Sequence, residues 1–217
     1  MLSLFGASFR VVLLPPITTV LAQNTVNSPL SELSHSELVE VAQMGRAYVA
    51  GDRGAVLPEG SDEKVAFTPD VVSHMEDVRS VIFGALIVTL ACVVLLIVCL
   101  VYAGRKAGKR TISFGLFFGG ITAVVLALAL SLIGYFNFDG LFTAMHTLLF
   151  ANGTWTFAED SLLICAYPLS FWVGMALVWA VALVLLSTIV SIIGFALRRE
   201  KRYRSKRDVK KKRSNRS

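Results

Sequence analysis

The side chains best suited to acid–base chemistry in this chain are its three histidines, His35, His74 and His146. Imidazole is the side chain whose ordinary pKa allows it to take and give protons near neutral pH. On a helix, a carboxylate three or four residues away shares the face of a histidine and can hydrogen-bond one ring nitrogen, which raises the basicity of the other. Three residues are therefore predicted to support or orient His74: Asp70, Asp77 and Arg79. Arg79 is also predicted to pair with Asp77.

The segment around His146 is apolar and too short to cross a membrane. We predict an interfacial helix capped by Asp139, followed by an Asn-Gly turn and an alternating aromatic strand over residues 155–157. A dry, shaped surrounding strengthens charge stabilisation in a site. Four residues are predicted to line a substrate pocket or the membrane interface here: Phe142, Phe150, Asn152 and Trp155.

The elements that must position these histidines are membrane helices. The chain is 55% hydrophobic with a mean hydropathy of +0.66, and its apolar residues are concentrated in long charge-free runs. Three runs predict membrane spans, over 78–103, 111–138 and 169–197. Residues 1–23 are interrupted by Arg10 and two prolines, and they predict either a short or truncated first span or a cleaved signal peptide.

Charge is distributed by position along the chain. Residues 104–110 and 198–217 hold 16 of the 21 Lys and Arg residues, whereas residues 24–77 hold ten acidic and three basic ones. The positive-inside rule places the 104–110 turn and the basic 198–217 tail in the cytoplasm, and the tail is expected to be disordered against an anionic membrane surface. The pattern indicates membrane topology and not a nucleic-acid footprint.

The same rule places segments 24–77 and 139–168 outside, so all three histidines share the outer side. Ser34 and Glu37 fit a capping box for a short helix that Gly51 ends, and Thr68-Pro69 fits the start of a helix that continues into the membrane. Pro168 is predicted to separate the outer segment from the last span. The predicted fold is an all-α integral membrane protein, a bundle of about four transmembrane helices with a small extracytoplasmic cap.

These residues resemble the lipoprotein intramolecular transacylases, a family of integral membrane proteins of Gram-positive bacteria. The resemblance covers about residues 30–197. Its blocks are FTPDVVSHMEDVR at 67–79, FTAMHTLLF at 142–150 with Asn152, Trp155 and Phe157, and Asp160-Ser-Leu-Leu163 with Tyr167-Pro168 and Phe171-Trp172. The 72-residue separation of the two histidines is also similar to that of the family.

The resemblance implies that His74 and His146 are the catalytic pair of a cofactor-independent acyltransferase in the bacterial cytoplasmic membrane. Its substrate would be a lipoprotein whose N-terminal cysteine carries a diacylglyceryl group, reached through the membrane lipid. One acyl chain would move from that glycerol to the cysteine's α-amino group, giving a lyso-form lipoprotein. No metal ligand set and no nucleic-acid partner are implied.

Two alternatives use the same residues. Two histidines and a carboxylate can hold Zn²⁺ with an open position, so a membrane metalloenzyme is possible, although the chain has no HExxH spacing. A non-catalytic membrane protein could instead bind a partner through its outer loops, in which case the histidines would be dispensable.

Overall fold

The computed structural model describes residues 1–150, 153 and 155–214, with side chains described up to residue 198. Within these ranges the regular structure is helical. The α-helices are α1 (Leu2–Val12), α2 (Pro15–Thr25), α3 (His35–Ala50), α4 (Pro69–Lys106), α5 (Lys109–Phe136), α6 (Phe138–Leu149), α7 (Leu162–Ala166) and α8 (Leu169–Ser214), with a 3₁₀ turn at Ser28–Leu30.

Three helices are long and apolar enough to cross a membrane: Pro69–Lys106, Lys109–Phe136 and Leu169–Arg198. The 38 residues of α4 extend for about 57 Å, whereas a hydrocarbon core is about 30 Å thick. The outer turns of α4 therefore stand beyond its charge-free stretch and can carry polar side chains. The all-α membrane architecture is confirmed.

The first membrane segment is a broken pair of helices. The axes of α1 and α2 meet at an angle of 60°. If the two helices together form one bent span, the number of candidate spans is four. The break follows from Pro15-Pro16, because proline lacks an amide hydrogen and starts a new helix at its first positions. The ring of Phe5 on α1 packs 5.6 Å from that of Trp179 on α8, so α1 belongs to the bundle.

Helices α5 and α8 approach closely through small residues. The hydroxyl of Ser113 donates a 2.7 Å hydrogen bond to the carbonyl of Gly194. Small buried residues line this contact: Ser113, Gly120, Ala123 and Ala127 on α5, and Ser187 and Gly194 on α8. In lipid, packing of this kind holds helices together, since there is no hydrophobic drive between them.

The cap beside the spans begins with helix α3, and both of its predicted ends are confirmed. Ser34 accepts from the amide of Glu37, and the Glu37 carboxylate accepts from the amide of Ser34 at 2.8 Å, which completes the capping box. The helix ends at Gly51 in the left-handed region, with φ 76°. The buried hydroxyl of Tyr167 donates a 2.7 Å hydrogen bond to the carbonyl of Ala42, which fixes α3 against the start of α8.

Three further boundaries can be compared with expectation. Thr68 is the residue that precedes α4, with Pro69 in its first turn, and Pro168 lies between α7 and α8, as predicted. The tail expected to be disordered is instead helical, since the backbone of α8 continues to Ser214. Lys and Arg are good helix formers, and extending an existing helix avoids the cost of nucleation.

A pair of adjacent glycines tests the α5–α8 contact. A Cβ at Gly120 would lie 2.6 Å from the carbonyl oxygen of Ser187, whereas a Cβ at Gly119 would meet nothing within 4 Å. Gly120→Ala should therefore lower the thermal unfolding midpoint in detergent by several degrees, which corresponds to about 1–3 kcal/mol of overpacking.

The matched control is Gly119→Ala, which should leave the midpoint unchanged or raise it slightly because alanine favours helix. Equal midpoints for the two variants would contradict the proposed role of Gly120 in close packing.

Candidate functional site

The structure brings His74 and His146 together. His74 lies in the second turn of α4 and His146 in the last turn of α6. Their ring centroids are 6.3 Å apart with an interplanar angle of 26°, and each side chain is only 7% exposed. His35, at the start of α3, is exposed and forms a long 3.4 Å contact with Ser28. The paired rings are therefore the candidate site.

The ring of His146 is oriented by its own helix. Its Nδ1 lies 2.9 Å from the carbonyl oxygen of Phe142. A carbonyl can only accept, so Nδ1 must carry the hydrogen, and the neutral ring then presents an unprotonated Nε2. The α6 helix that provides this carbonyl is capped by Asn137, whose Oδ1 accepts from the amide of Gly140 at 2.9 Å. The prediction of Asp139 as the cap was wrong, because Asn137 supplies the side chain two residues earlier.

The surroundings of His74 differ from expectation. Its Nδ1 is buried without a hydrogen-bond partner among the described residues. Asp70 and Asp77 are both exposed, and neither is hydrogen-bonded to the ring. Asp77 nevertheless lies near enough for its charge to act on His74. Sharing a helix face placed the carboxylates nearby but did not bring them into contact.

Arg79 was expected to pair with Asp77, and that expectation was wrong. The guanidinium instead lies 4.9 Å from the centroid of the Tyr48 ring, on α3, and 6.0 Å from that of Phe83. Residues two apart on a helix do not face each other, so Arg79 turns toward the cap, where an aromatic face is available.

Aromatic rings surround both histidines. Phe150 lies 5.0 Å from His74 and Trp155 lies 5.1 Å from His146, between ring centroids. The ring of Phe142 lies 3.9 Å from that of His146. The predicted lining residues Phe142, Phe150 and Trp155 are thus placed at the site, whereas Asn152 lies outside the described residues.

Two aromatic residues absent from the predicted lining also take part. Phe157 lies 5.6 Å from His74, and Trp172, at the start of α8, lies 5.8 Å from Phe142. The expected strand over residues 155–157 was wrong, since this stretch has no regular structure. The alternating pattern of aromatic residues identified side chains that lie at the site, but it did not determine the backbone conformation of this stretch.

Electrostatics favour neutral rings. Burial lowers the pKa of the His146 imidazole, and the hydrogen bond to the Phe142 carbonyl partly offsets this effect. Two positive charges at this separation in a poorly hydrated site would also repel each other. The pair is therefore neutral at rest and suited to hold one extra proton during a reaction, which one ring accepts and the other passes on.

No group of three or more His, Cys, Asp or Glu residues in the described part of the chain is placed to hold a metal ion. Two paired imidazoles can carry out acid–base or nucleophilic chemistry. Buried next to aromatic rings, these imidazoles face little competing water.

Comparison with protein-family models identifies one family. Residues 2–172 match the model of the family described as "Lipoprotein intramolecular transacylase Lit". An uncharacterized protein of Aquifex aeolicus is 28% identical over 171 residues, which cover 75% of this chain and 73% of that protein.

Solved structures of the membrane-integral lipoprotein intramolecular transacylase Lit from Bacillus cereus share the fold. One has a TM-score of 0.74 at 18% identity, covering 93% of this chain and 92% of the other. A variant of the same protein with one histidine replaced has a TM-score of 0.65 at 19% identity, covering 93% and 91%.

The buried ring of His146 makes a prediction about pH. Because its pKa is lowered in the folded protein, the unfolded chain binds more protons than the folded one below the ordinary value of about 6.5, so stability rises with pH in that range. The thermal midpoint of the wild type should fall between pH 7.5 and pH 5.5, and His146→Gln should reduce that fall. His35→Gln, which removes an exposed imidazole, is the control and should keep the wild-type dependence. The same pH dependence in His146→Gln and wild type would refute this assignment.

Proposed function

The chain belongs to the lipoprotein intramolecular transacylase family, and we propose that His74 and His146 are the catalytic pair with which it transfers an acyl chain. It is a membrane-integral acyltransferase that acts on lipoproteins. The observation that carries the residue assignment is the burial of two imidazoles, 6.3 Å apart, in an aromatic surrounding.

The substrate is a lipoprotein whose N-terminal cysteine bears a diacylglyceryl group. The α-amino nitrogen attacks the carbonyl carbon of one glycerol ester. A new C–N bond forms, the ester C–O bond breaks, the amine loses a proton and the departing glycerol oxygen gains one. The product is the N-acylated lyso-form, and no water or cofactor enters the balance.

The tautomer of His146 supports its assignment as the base. Its Nδ1–H is engaged with the Phe142 carbonyl, so Nε2 has a free lone pair. On taking the amine's proton the ring becomes an imidazolium, and the same carbonyl then accepts from a charged donor, which strengthens the bond. General-base action by such a positioned ring contributes about 10²–10⁴ in rate.

His74 is assigned to return a proton to the glycerol oxygen. It lies beside the first ring, and its Nδ1 has no protein partner among the described residues, so the ring is free to bond a substrate oxygen. Because both rings are neutral at rest, His74 gives its N–H proton to the oxygen only as a proton returns from the His146 imidazolium, so both rings are neutral again when the product forms.

The aromatic surrounding supports transfer over hydrolysis. Phe142, Phe150 and Trp155 contact the imidazoles and leave each histidine only 7% exposed. An ester held there meets the substrate's own amine before it meets water. Because a lipid-modified substrate is already in the bilayer, it can reach such a site sideways between helices.

The proposed orientation places this site outside the cell and the C-terminus in the cytoplasm. The support is the charge distribution: 16 of the 21 Lys and Arg residues flank the ends of the spans away from the histidines. The substrate's modified cysteine would then meet the pair at the outer face of the bacterial cytoplasmic membrane.

Replacing either histidine tests the assignment. His74→Ala and His146→Ala should each abolish acyl migration, a loss of at least about 10² in rate, while the protein remains folded in the membrane. If the rings act as a unit, the double variant should be little slower than either single variant. The measurement is the mass of a reporter lipoprotein's N-terminal peptide, resolved for the position of the acyl chain.

His35→Ala is the matched control and should transfer at the wild-type rate. Wild-type yields of the N-acylated product from His146→Ala would overturn the paired mechanism. Activity that is lost on chelation and restored by Zn²⁺ would favour a metalloenzyme instead.

The orientation is tested by thiol labelling of intact cells with an impermeant reagent. Cys92, Cys99 and Cys165 are replaced first, and Ala50→Cys and Lys210→Cys are made separately. Ala50→Cys should label and Lys210→Cys should label only after the membrane is permeabilised. The reverse pattern would contradict the proposed topology.

A further inference from the structure

Among the described residues, the carboxylate of Asp77 has no hydrogen-bond or ion-pair partner, although it lies near His74 in the helix. It is exposed, and the ion pairs of the described residues, Arg46–Asp52 and Lys64–Asp160, do not include it. Arg79, the nearest cation in sequence, is engaged with the face of Tyr48. Asp77 is one of three exposed carboxylates at this end of α4, with Asp70 and Glu76, and none of them has an ion-pair partner among the described residues.

Asp77 is also close to the reacting groups. It lies three residues after His74 and so shares its helix face. Its charge acts on the His74 ring although no hydrogen bond joins the two side chains. The carboxylate therefore lies next to the histidine pair, and it makes no hydrogen bond that orients either ring.

A second observation concerns the adjacent His74 ring, which carries an unsatisfied polar atom. The Nδ1 of His74 is buried and unpartnered, in a side chain that is only 7% exposed. A buried polar atom without a partner costs about 1–3 kcal/mol, so structures rarely keep one unless something else bonds it.

The substrate of the proposed reaction carries a matching cation. An α-amino group has an ordinary pKa of about 7.7–8.0, so near neutral pH it arrives mainly as an ammonium. It must also come within reach of the imidazole that deprotonates it. We propose that Asp77 binds the α-ammonium of the lipoprotein's N-terminal cysteine and positions it beside the histidine pair, an inference that rests on the proposed function.

In this role Asp77 is a specificity and positioning residue. It attracts the charged amine, and His146 then takes the proton that makes the nitrogen nucleophilic. A lipoprotein whose amine is already acylated has no ammonium and loses this contact, so the same carboxylate favours substrate over N-acylated product.

Binding of non-reacting analogues separates recognition from catalysis. Two glyceryl-cysteine peptides with ether-linked chains, which cannot be transferred, are compared, one with a free N-terminal amine and one with an N-acetyl group. At pH 6.5 and low salt, the wild type should bind the free amine about two- to fivefold more tightly, the range expected of a partly exposed ion pair. Asp77→Asn should lose this preference, and Asp77→Glu should keep most of it.

The matched control is Glu76→Gln, which removes the adjacent exposed carboxylate from another face of α4 and should keep the preference. With the ester-linked substrate, Asp77→Asn should raise KM more than it lowers kcat. An orienting role for Asp77 would lower kcat and leave the amine preference intact, and that result would overturn the proposal.

Failure of this inference is distinguishable from failure of the proposed function. If the wild type converts the ester-linked peptide to the lyso-form but binds the amine and N-acetyl analogues equally, only the proposed role of Asp77 is refuted. If the wild type makes no lyso-form product at all, the proposed function falls and the inference falls with it.

Discussion

The structure depends on keeping two imidazoles in contact where little water reaches them. His74 and His146 come from helices that are distant in sequence, and each ring is almost fully buried among aromatic side chains. A polar ring in such a place is stable only if its nitrogens are bonded or held ready for a ligand. His146 meets this condition with the Phe142 carbonyl, and His74 leaves one nitrogen open. The bundle and the cap can be understood as the means of holding this arrangement.

The cap holds the loops around the pair through backbone hydrogen bonds. The amide of Leu162 donates to the carbonyl of Glu63 at 2.7 Å, and the amide of Asn27 donates to that of Cys165 at 2.9 Å. Phe67 and Phe171 are fully buried between these segments. The segment that carries Trp155 and Phe157 is thus followed by a loop fastened to the cap, although it has no regular structure of its own.

Local signals in the sequence predicted the helices well. Ser34, Thr68-Pro69 and Pro168 each define a boundary by backbone chemistry within a few residues, and the long apolar runs leave little choice of structure in a membrane. The pairing of the histidines followed from depth: both were expected on the outer side, on apolar helices. Partners of individual side chains were less predictable, because Arg79 had a choice between a neighbouring carboxylate and an aromatic ring on α3. Asp139 and Asn137 are chemically similar candidates for the N-cap of α6. The backbone path before the helix determines that Asn137 is the cap.

Among the described residues no carboxylate is hydrogen-bonded to either ring, and this arrangement suits the proposed chemistry. A carboxylate would make an imidazole more basic but would also keep it protonated more often, and a protonated ring cannot accept the amine's proton. A backbone carbonyl orients His146 without adding charge, and burial lowers the pKa of that ring so that the neutral form prevails at neutral pH. In the proposed function this ring is a weaker base than free imidazole, and it takes its proton from an α-ammonium whose ordinary pKa is about 7.7–8.0. Orientation by a neutral group therefore leaves the carboxylate of Asp77 outside the hydrogen bonds of the two rings, as its proposed role in binding the substrate requires.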